Sequence, residues 1–205
     1  MFAKLLLKRN FLKVQAIFPL PANTNTVKSN LPHTERNSDT MRTVICPGSF
    51  DPVTNGHLDI IERSSVLFDK VIVAVMFNSA KKNNFCFEPE ERAELIRRCT
   101  SHLPNVEVKV ADGLLAEFAR DCGAVAVVKG LRAMSDFEYE FQQAQLNKKL
   151  NSELETLFIN TKSENMYLSS SMVKQICELG GDISDFVPEQ VRDDIVKRIM
   201  RGAEK

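Results

Sequence analysis

Apolar runs alternate with helical patterns from Thr43 onward, and this alternation restricts the fold more than any other feature of the chain. The clearest run is Val71–Phe77, a continuous β-branched stretch of the kind found in strands that are covered on both faces. Shorter runs of the same type predict four more strands, at Thr43–Cys46, Val106–Val110, Ala124–Val128 and Thr156–Ile159.

Helices are predicted between and after these strands. One follows His57 and another begins at Pro89, where a proline in the first turn precedes acidic residues. The spacing Ser135–Glu138 matches a capping box and predicts a third helix that begins there. Further helices are expected at Leu114–Cys122, at Ser170–Leu179 and around Val191–Ile199.

Strands separated by helices imply right-handed βαβ crossovers and therefore a parallel sheet. The sequence predicts an α/β fold, a Rossmann-like, doubly wound sheet of about five strands with helices on both faces. In such sheets ligands bind in the crevice beyond the carboxyl ends of the strands. We therefore expect the functional residues in the loops that follow each strand.

The 205 residues suffice for one domain, but the first forty differ from the rest. Residues 1–40 contain six Lys or Arg and two acidic residues, whereas residues 41–205 contain 21 and 25. A basic, acid-poor start is typical of an organelle transit peptide, and a mispredicted start upstream of Met41 explains it equally well. In both cases we predict an N-terminal extension at 1–40 and one domain at 41–205.

Several functional classes are disfavoured by composition. The formal net charge is zero, which argues against a broad nucleic-acid surface, and no apolar stretch is long enough to cross a membrane. The five cysteines include no CxxC pair, so they indicate neither a zinc site nor a disulfide framework. The expected location is the cytoplasm, or an organelle if residues 1–40 are a transit peptide.

The loop Pro47–His57 has the strongest functional signal. Its sequence, PGSFDPVTNGH, joins the first strand to a helix and matches neither a P-loop nor a GxGxxG turn. A helix N-terminus attracts phosphate through unpaired amides and partial positive charge, and glycines at 48 and 56 let a polyphosphate approach the backbone. His57 can direct an N–H donor at the same phosphates. The whole string resembles the signature of the nucleotidyltransferase superfamily with the T/H-x-G-H motif.

Two more segments supply groups suited to anions at the same edge. In KGLRAMSDFEYE, residues 129–140, Gly130 is expected to permit a tight turn so that Lys129 and Arg132 face one ligand. In YLSSSMVK, residues 167–174, three hydroxyls precede a helix, which they can cap while also donating to an anion. Lys81 and Lys82 follow the second strand and add positive charge.

Together these four segments resemble the bacterial-type phosphopantetheine adenylyltransferase family over about residues 41–200. The resemblance implies that His57, Lys81 and Ser49 are catalytic and that Ser49, Lys81, Leu115 and Lys129 contact phosphopantetheine, although adjacent Lys82 leaves the alignment of Lys81 uncertain by one. The ATP contacts it implies are Ser49, Phe50, His57, Gly130, Leu131, Arg132, Glu140, Asn165, Met166, Tyr167, Leu168, Ser169, Ser170 and Ser171. The chain departs from the family's usual pattern at Lys129, where an arginine is common, and around residues 83–88, which form a slightly longer segment.

The resemblance further implies transfer of the adenylyl group of ATP to 4′-phosphopantetheine, giving dephospho-coenzyme A and pyrophosphate. Mg²⁺ is expected to enter with ATP, because the motif segments offer no acidic cluster for a metal site of their own. The partners are the two substrates and, by resemblance, further copies of the chain in a hexamer. Two alternatives remain: a related enzyme acting on another acceptor, such as nicotinamide mononucleotide, and a nonenzymatic nucleotide-binding module.

Overall fold

The structure, a computed structural model, describes residues 41–76 and 85–203, and it describes the side chains in those ranges except at positions 134, 135 and 203. Its strands are β1 (Thr43–Gly48), β2 (Lys70–Met76), β3 (Val106–Ala111), β4 (Ala124–Leu131) and β5 (Glu155–Asn160). Its helices are α1 (Asn55–Leu67), α2 (Pro89–Thr100), α3 (Leu115–Asp121), α4 (Met134–Leu150), α5 (Ser170–Glu178) and α6 (Glu189–Ala203), with a 3₁₀ turn at Ser163–Asn165.

The five strands form one parallel sheet in the order β3-β2-β1-β4-β5. The order reverses direction beside β1, which pairs with β2 on one side and β4 on the other. The predicted doubly wound parallel sheet is therefore confirmed. The strands end together at Gly48, Met76, Ala111, Leu131 and Asn160, and we call this side of the sheet the carboxyl edge.

Each face of the sheet carries its own apolar cluster, because neighbouring residues of a strand point to opposite sides. Val44 and Cys46 of β1 pack in the larger cluster, which includes buried side chains of α1, α2, α5 and α6. Ile45 lies in the smaller cluster with Ala119 of α3. Helices thus cover both faces, as the sequence predicted. None of the helices described is long and apolar enough to cross a membrane.

Two local predictions were wrong. The fourth strand continues to Leu131, so Gly130 lies inside β4, where it pairs with Ile159 of β5 instead of forming a turn. A Cβ on Gly130 would lie 3.0 Å from Ile60 Cγ1, and the close approach of α1 therefore favours glycine there. The predicted capping box at Ser135 is also wrong, because α4 already begins at Met134 and its N-cap residue, Ala133, makes no side-chain capping bond.

Candidate active site

The loop from β1 to α1 occupies the centre of the carboxyl edge, because β1 is the middle strand of the sheet. Phe50 has a positive φ of 49°, which turns its ring back into the protein, where it is only 3% exposed. A Cβ on Gly48 would lie 2.9 Å from that ring. The protein's own Phe50 therefore favours glycine at 48, whereas a Cβ on Gly56 would make only ordinary contacts, the nearest at 3.6 Å.

His57 is fixed at the first turn of α1 by a reciprocal cap with Thr54. The Thr54 hydroxyl accepts a hydrogen bond from the His57 backbone N–H, and the Thr54 backbone N–H donates to His57 Nδ1 at 3.1 Å. Because Nδ1 accepts, the ring proton of the neutral imidazole is on Nε2. Nε2 has no partner within residues 41–76 and 85–203, so its N–H is available to a ligand.

The electrostatic surroundings keep His57 neutral. Burial, together with the nearby positive charges of Arg132 and Lys129, lowers the pKa of His57 to about 4. The ring also packs edge-on against Phe50, with 5.0 Å between the ring centroids. At neutral pH His57 is therefore a rigidly held neutral N–H donor beside two cations, which suits it to a phosphate oxygen.

The two cations of the 129–140 segment are both held by carboxylates of α4. Lys129 Nζ lies 3.0 Å from Glu140 Oε2, with both side chains less than a quarter exposed. Arg132 donates to both oxygens of Asp136, at 2.9 and 3.3 Å, and to the Leu168 carbonyl at 2.8 Å. The structure thus brings Lys129, Arg132 and His57 together, and Arg132 also connects α4 to the segment before α5.

The segment Asn165–Ser171 lies against the start of α1. Asn165 and Leu168 are buried, and both approach Gly56, while Tyr167 is 80% exposed and Met166 is 40% exposed. Ser169 caps α5 by accepting from Met172 N at 3.2 Å, as predicted, and Ser170 Oγ donates to the Pro52 carbonyl at 2.8 Å. Ser169 and Ser170 thus bond within the protein, while Ser171 is exposed.

The remaining predicted site residues are placed as follows. Ser49 is half-buried at the end of β1, and its carbonyl accepts from Arg92 Nη1 at 2.7 Å. Leu115 is half-buried at the start of α3, one short turn beyond the end of β3. Leu131 ends β4, and its carbonyl accepts from Thr161 N. Lys81 and Lys82 lie outside the described residues.

Four charged residues that sequence reasoning missed organise this edge. Asp136 pairs with Arg132. Buried Asp59 of α1 lies 3.0 Å from Lys162, which follows β5.

Arg92 is fully buried and stacks over Phe85, and its Nε and Nη2 have no hydrogen-bond partner among the described residues. Asp51 of the β1–α1 loop accepts hydrogen bonds from two backbone amides. The sequence offered one signal for such residues, a charged residue among the apolar residues of a predicted helix, as Arg92 lies beside Ala93 and Ile96.

Comparisons with known proteins identify the family of this chain. The family described as cytidylyltransferase-like matches residues 45–176, which run from β1 into α5. The phosphopantetheine adenylyltransferase of Clostridium beijerinckii is 52% identical over 78% of this chain and 99% of the relative. That of Caldanaerobacter subterraneus subsp. tengcongensis is 52% identical over 79% of this chain and all of the relative.

A solved structure, that of the lipopolysaccharide core biosynthesis protein from Thermoplasma volcanium GSS1, superposes with a TM-score of 0.46 at 22% identity, over 60% of this chain and all of that one. The family assignment depends on the curated relatives and on the family match, and the matched residues 45–176 include the loop, the two cations and the serine run. This chain belongs to the phosphopantetheine adenylyltransferase family, within the cytidylyltransferase-like nucleotidyltransferases.

Proposed function

We propose that this protein transfers the adenylyl group of ATP to the phosphate of 4′-phosphopantetheine, giving dephospho-coenzyme A and pyrophosphate, a step of coenzyme A synthesis. One observation supports this most strongly: a neutral His57 whose Nε2–H is available, held at a helix N-terminus beside Lys129 and Arg132. These groups can bind a polyphosphate and stabilise charge without taking up a proton. The names of the relatives identify the acceptor.

The reaction requires little acid–base chemistry. A phosphate monoester has a second pKa of about 6, so the acceptor is already an anionic nucleophile at neutral pH. One of its oxygens forms a bond to the α-phosphorus of ATP while the bond from that phosphorus to the bridging oxygen of the β-phosphate breaks. Pyrophosphate carries away the released electron pair. Catalysis then consists of positioning and of stabilising charge in the transition state.

Lys129, Arg132 and His57 each have a role in this scheme. We assign Arg132 to the triphosphate, Lys129 to the acceptor phosphate and His57 Nε2–H to the oxygen on which charge builds. Ser49 orients the acceptor phosphate, and Lys81, by family resemblance, holds the reacting group. Because Lys129 and Arg132 are already paired with Glu140 and Asp136, the incoming phosphates compete with those carboxylates. Binding therefore exchanges one anionic partner for another and leaves the cations fixed in place.

Mg²⁺ is proposed to arrive with ATP and to neutralise part of the triphosphate charge. Within the described ranges, no group of three or more His, Cys, Asp or Glu is arranged to hold a metal ion. The carboxylates near the site face cations of the protein instead, Glu140 facing Lys129 and Asp136 facing Arg132. This donor set favours phosphate oxygens as the main metal ligands.

We also propose that the chain forms a homo-oligomer, a hexamer by family resemblance. Apolar side chains of α4 and of the edge strand β5 are exposed, and exposed apolar side chains of this size favour contact with another chain. They are Phe137, Phe141, Leu146, Leu150 and Leu157. Sedimentation equilibrium of the wild type and of Leu146→Glu tests this proposal, which expects a hexamer for the wild type and smaller species for the variant. A monomeric wild type would contradict it.

The proposed compartment is reducing: the cytoplasm, or an organelle matrix if residues 1–40 direct import. All five cysteines are free, and Cys46, Cys99 and Cys177 are buried as small apolar side chains. Fusion of residues 1–40 to a fluorescent reporter in the native cell distinguishes the two locations. Diffuse fluorescence supports the cytoplasm, and organellar fluorescence supports import.

The activity is tested by the rate of pyrophosphate release from ATP and Mg²⁺ with different acceptors. We expect release with phosphopantetheine and at most background with nicotinamide mononucleotide. His57→Ala, purified in the same way, controls for contaminating enzymes and should lose about 10²-fold or more in kcat. Faster release with nicotinamide mononucleotide would support the related enzyme, and ATP binding without release with any acceptor would support a nonenzymatic module.

A further inference from the structure

Asp51 is a buried carboxylate that joins separate parts of the carboxyl edge. It lies in the β1–α1 loop and is only 3% exposed. Its Oδ1 accepts from the backbone N–H of Phe87 at 3.0 Å, and both its oxygens lie 3.1 Å from the backbone nitrogen of Cys86. These amides belong to the segment where the described chain resumes after residue 84, directly before α2. Asp51 therefore fixes the start of that segment to the phosphate-binding loop.

The same carboxylate is paired with a lysine of α5. Lys174 Nζ lies 3.0 Å from Asp51 Oδ2, and the side chain of Lys174 is 20% exposed. Lys174 lies one turn beyond Ser169–Ser171, which begin the helix. The hydrogen bond from Ser170 Oγ to the Pro52 carbonyl makes a second connection between the same two segments. The N-terminus of α5 is thus fastened to the loop by two adjacent contacts.

These contacts hold ligand-binding elements without occupying the ligand groups themselves. The site cations Lys129 and Arg132 have carboxylates of their own on α4, so neither depends on Asp51 for its charge balance. Asp51 lies two residues after Ser49 and six before His57, between the two ends of the loop that we assign to phosphate binding. A shift of α5 relative to this loop would therefore move the serine run away from His57.

We propose that Asp51 and Lys174 are positioning residues for nucleotide binding, acting by holding the N-terminus of α5 in register with the His57 loop. The inference rests on the proposed function only in taking ATP as the nucleotide. Removing the lysine charge leaves Asp51 buried with fewer partners, which favours any displacement that brings water to the carboxylate. The expected consequence is weaker ATP binding, with little change in the binding of phosphopantetheine.

A matched set of variants separates positioning from general stability. Lys174→Met removes the charge at similar volume, Lys174→Gln keeps an N–H donor in case the methionine variant does not fold, and Lys174→Arg restores the cation. Asn151→Ala is the control. Asn151 is 8% exposed and donates to the Ala116 carbonyl at 3.2 Å. It precedes β5 and therefore lies toward the amino ends of the strands, away from the carboxyl edge. The variant should lower stability without touching the ATP site.

The measurements are the Kd of ATP by titration calorimetry and the KM of each substrate. We expect Lys174→Met to raise the Kd and KM of ATP about tenfold while the KM of phosphopantetheine changes less than about twofold, the scale of a small misplacement. Lys174→Arg should recover most of the loss, and Asn151→Ala should keep the wild-type Kd. Wild-type ATP affinity in Lys174→Met overturns the inference; if that variant does not fold, wild-type affinity in Lys174→Gln does so. An equal loss of ATP affinity in Asn151→Ala also overturns it.

Calorimetry keeps this result separate from that of the proposed reaction. If the wild type binds ATP but makes no dephospho-coenzyme A, the proposed function fails, and the Kd values of the Lys174 variants still decide the inference. If the wild type does not bind ATP at all, both fail.

Discussion

Replacing His57 by asparagine separates the two roles that the structure gives to this residue. His57 Nδ1 accepts from the Thr54 backbone N–H, while Nε2 offers a hydrogen to a ligand. The Oδ1 atom of asparagine occupies nearly the position of Nδ1, so His57→Asn keeps the cap and loses the donor. His57→Ala loses both groups, and His57→Gln keeps an acceptor that can close the capping box together with an N–H near the position of Nε2.

The magnitudes follow from these contacts. Thr54 is only 2% exposed, so loss of its acceptor in His57→Ala leaves a buried N–H unpaired, at a cost of about 1–3 kcal/mol in the free energy of unfolding. His57→Asn keeps that acceptor but loses the edge-on ring contact with Phe50, so it should lose only about 0.5–1.5 kcal/mol, which His57→Ala loses as well. Loss of one preorganised donor costs about 10²–10³-fold in kcat, and both variants should show it. His57→Gln should recover part of that rate.

Urea denaturation and steady-state pyrophosphate release measure the two quantities on the same preparations. The expected pattern is a similar loss of kcat in His57→Asn and His57→Ala, with the larger loss of stability in His57→Ala. If His57→Asn turned over at nearly the wild-type rate, His57 would be a helix cap with no part in the chemistry.

Three further predictions concern the pH dependence, the sheet and the domain boundary. In an NMR titration, His57 should take up its proton near pH 4. Because the unfolded residue binds a proton near pH 6.5, the free energy of unfolding should fall by up to about 3 kcal/mol as pH drops from 6.5 toward 4. A midpoint near 6.5 would contradict this. Gly130→Ala should lower the free energy of unfolding in urea by about 1–3 kcal/mol, because the new Cβ would meet Ile60, whereas Gly202→Ala, with open space around it, should not. Deleting residues 1–40 should leave the activity unchanged, and loss of the folded state would disprove the predicted boundary.

The sheet could be predicted because buried parallel strands are continuous apolar runs, and β2 shows this most clearly. The end of β4 could not, since Lys129 and Gly130 have the composition of a loop. The strand continues there because backbone pairing with β5 does not depend on side-chain polarity. The start of α4 was misjudged because a capping-box spacing at Ser135 is a local pattern, and the helix begins without such a cap.

The site was predictable where its residues are adjacent in sequence. His57, Lys129 and Arg132 meet because they lie at or just beyond the carboxyl ends of the neighbouring strands β1 and β4, which topology alone implies. The inward turn of Phe50 depends on a positive φ that composition does not indicate. The pairing of Asp51 with Lys174 spans 123 residues, and no local pattern reports a contact of that kind.

Mass spectrometry of the reaction products tests the central claim most directly. The purified protein is incubated with ATP, Mg²⁺ and phosphopantetheine labelled with ¹⁸O in the nonbridging oxygens of its phosphate. We predict dephospho-coenzyme A that retains all of the label and an equal amount of unlabelled pyrophosphate, because an acceptor oxygen attacks the α-phosphorus. Label in pyrophosphate, or consumption of ATP without dephospho-coenzyme A, would contradict adenylyl transfer at this site.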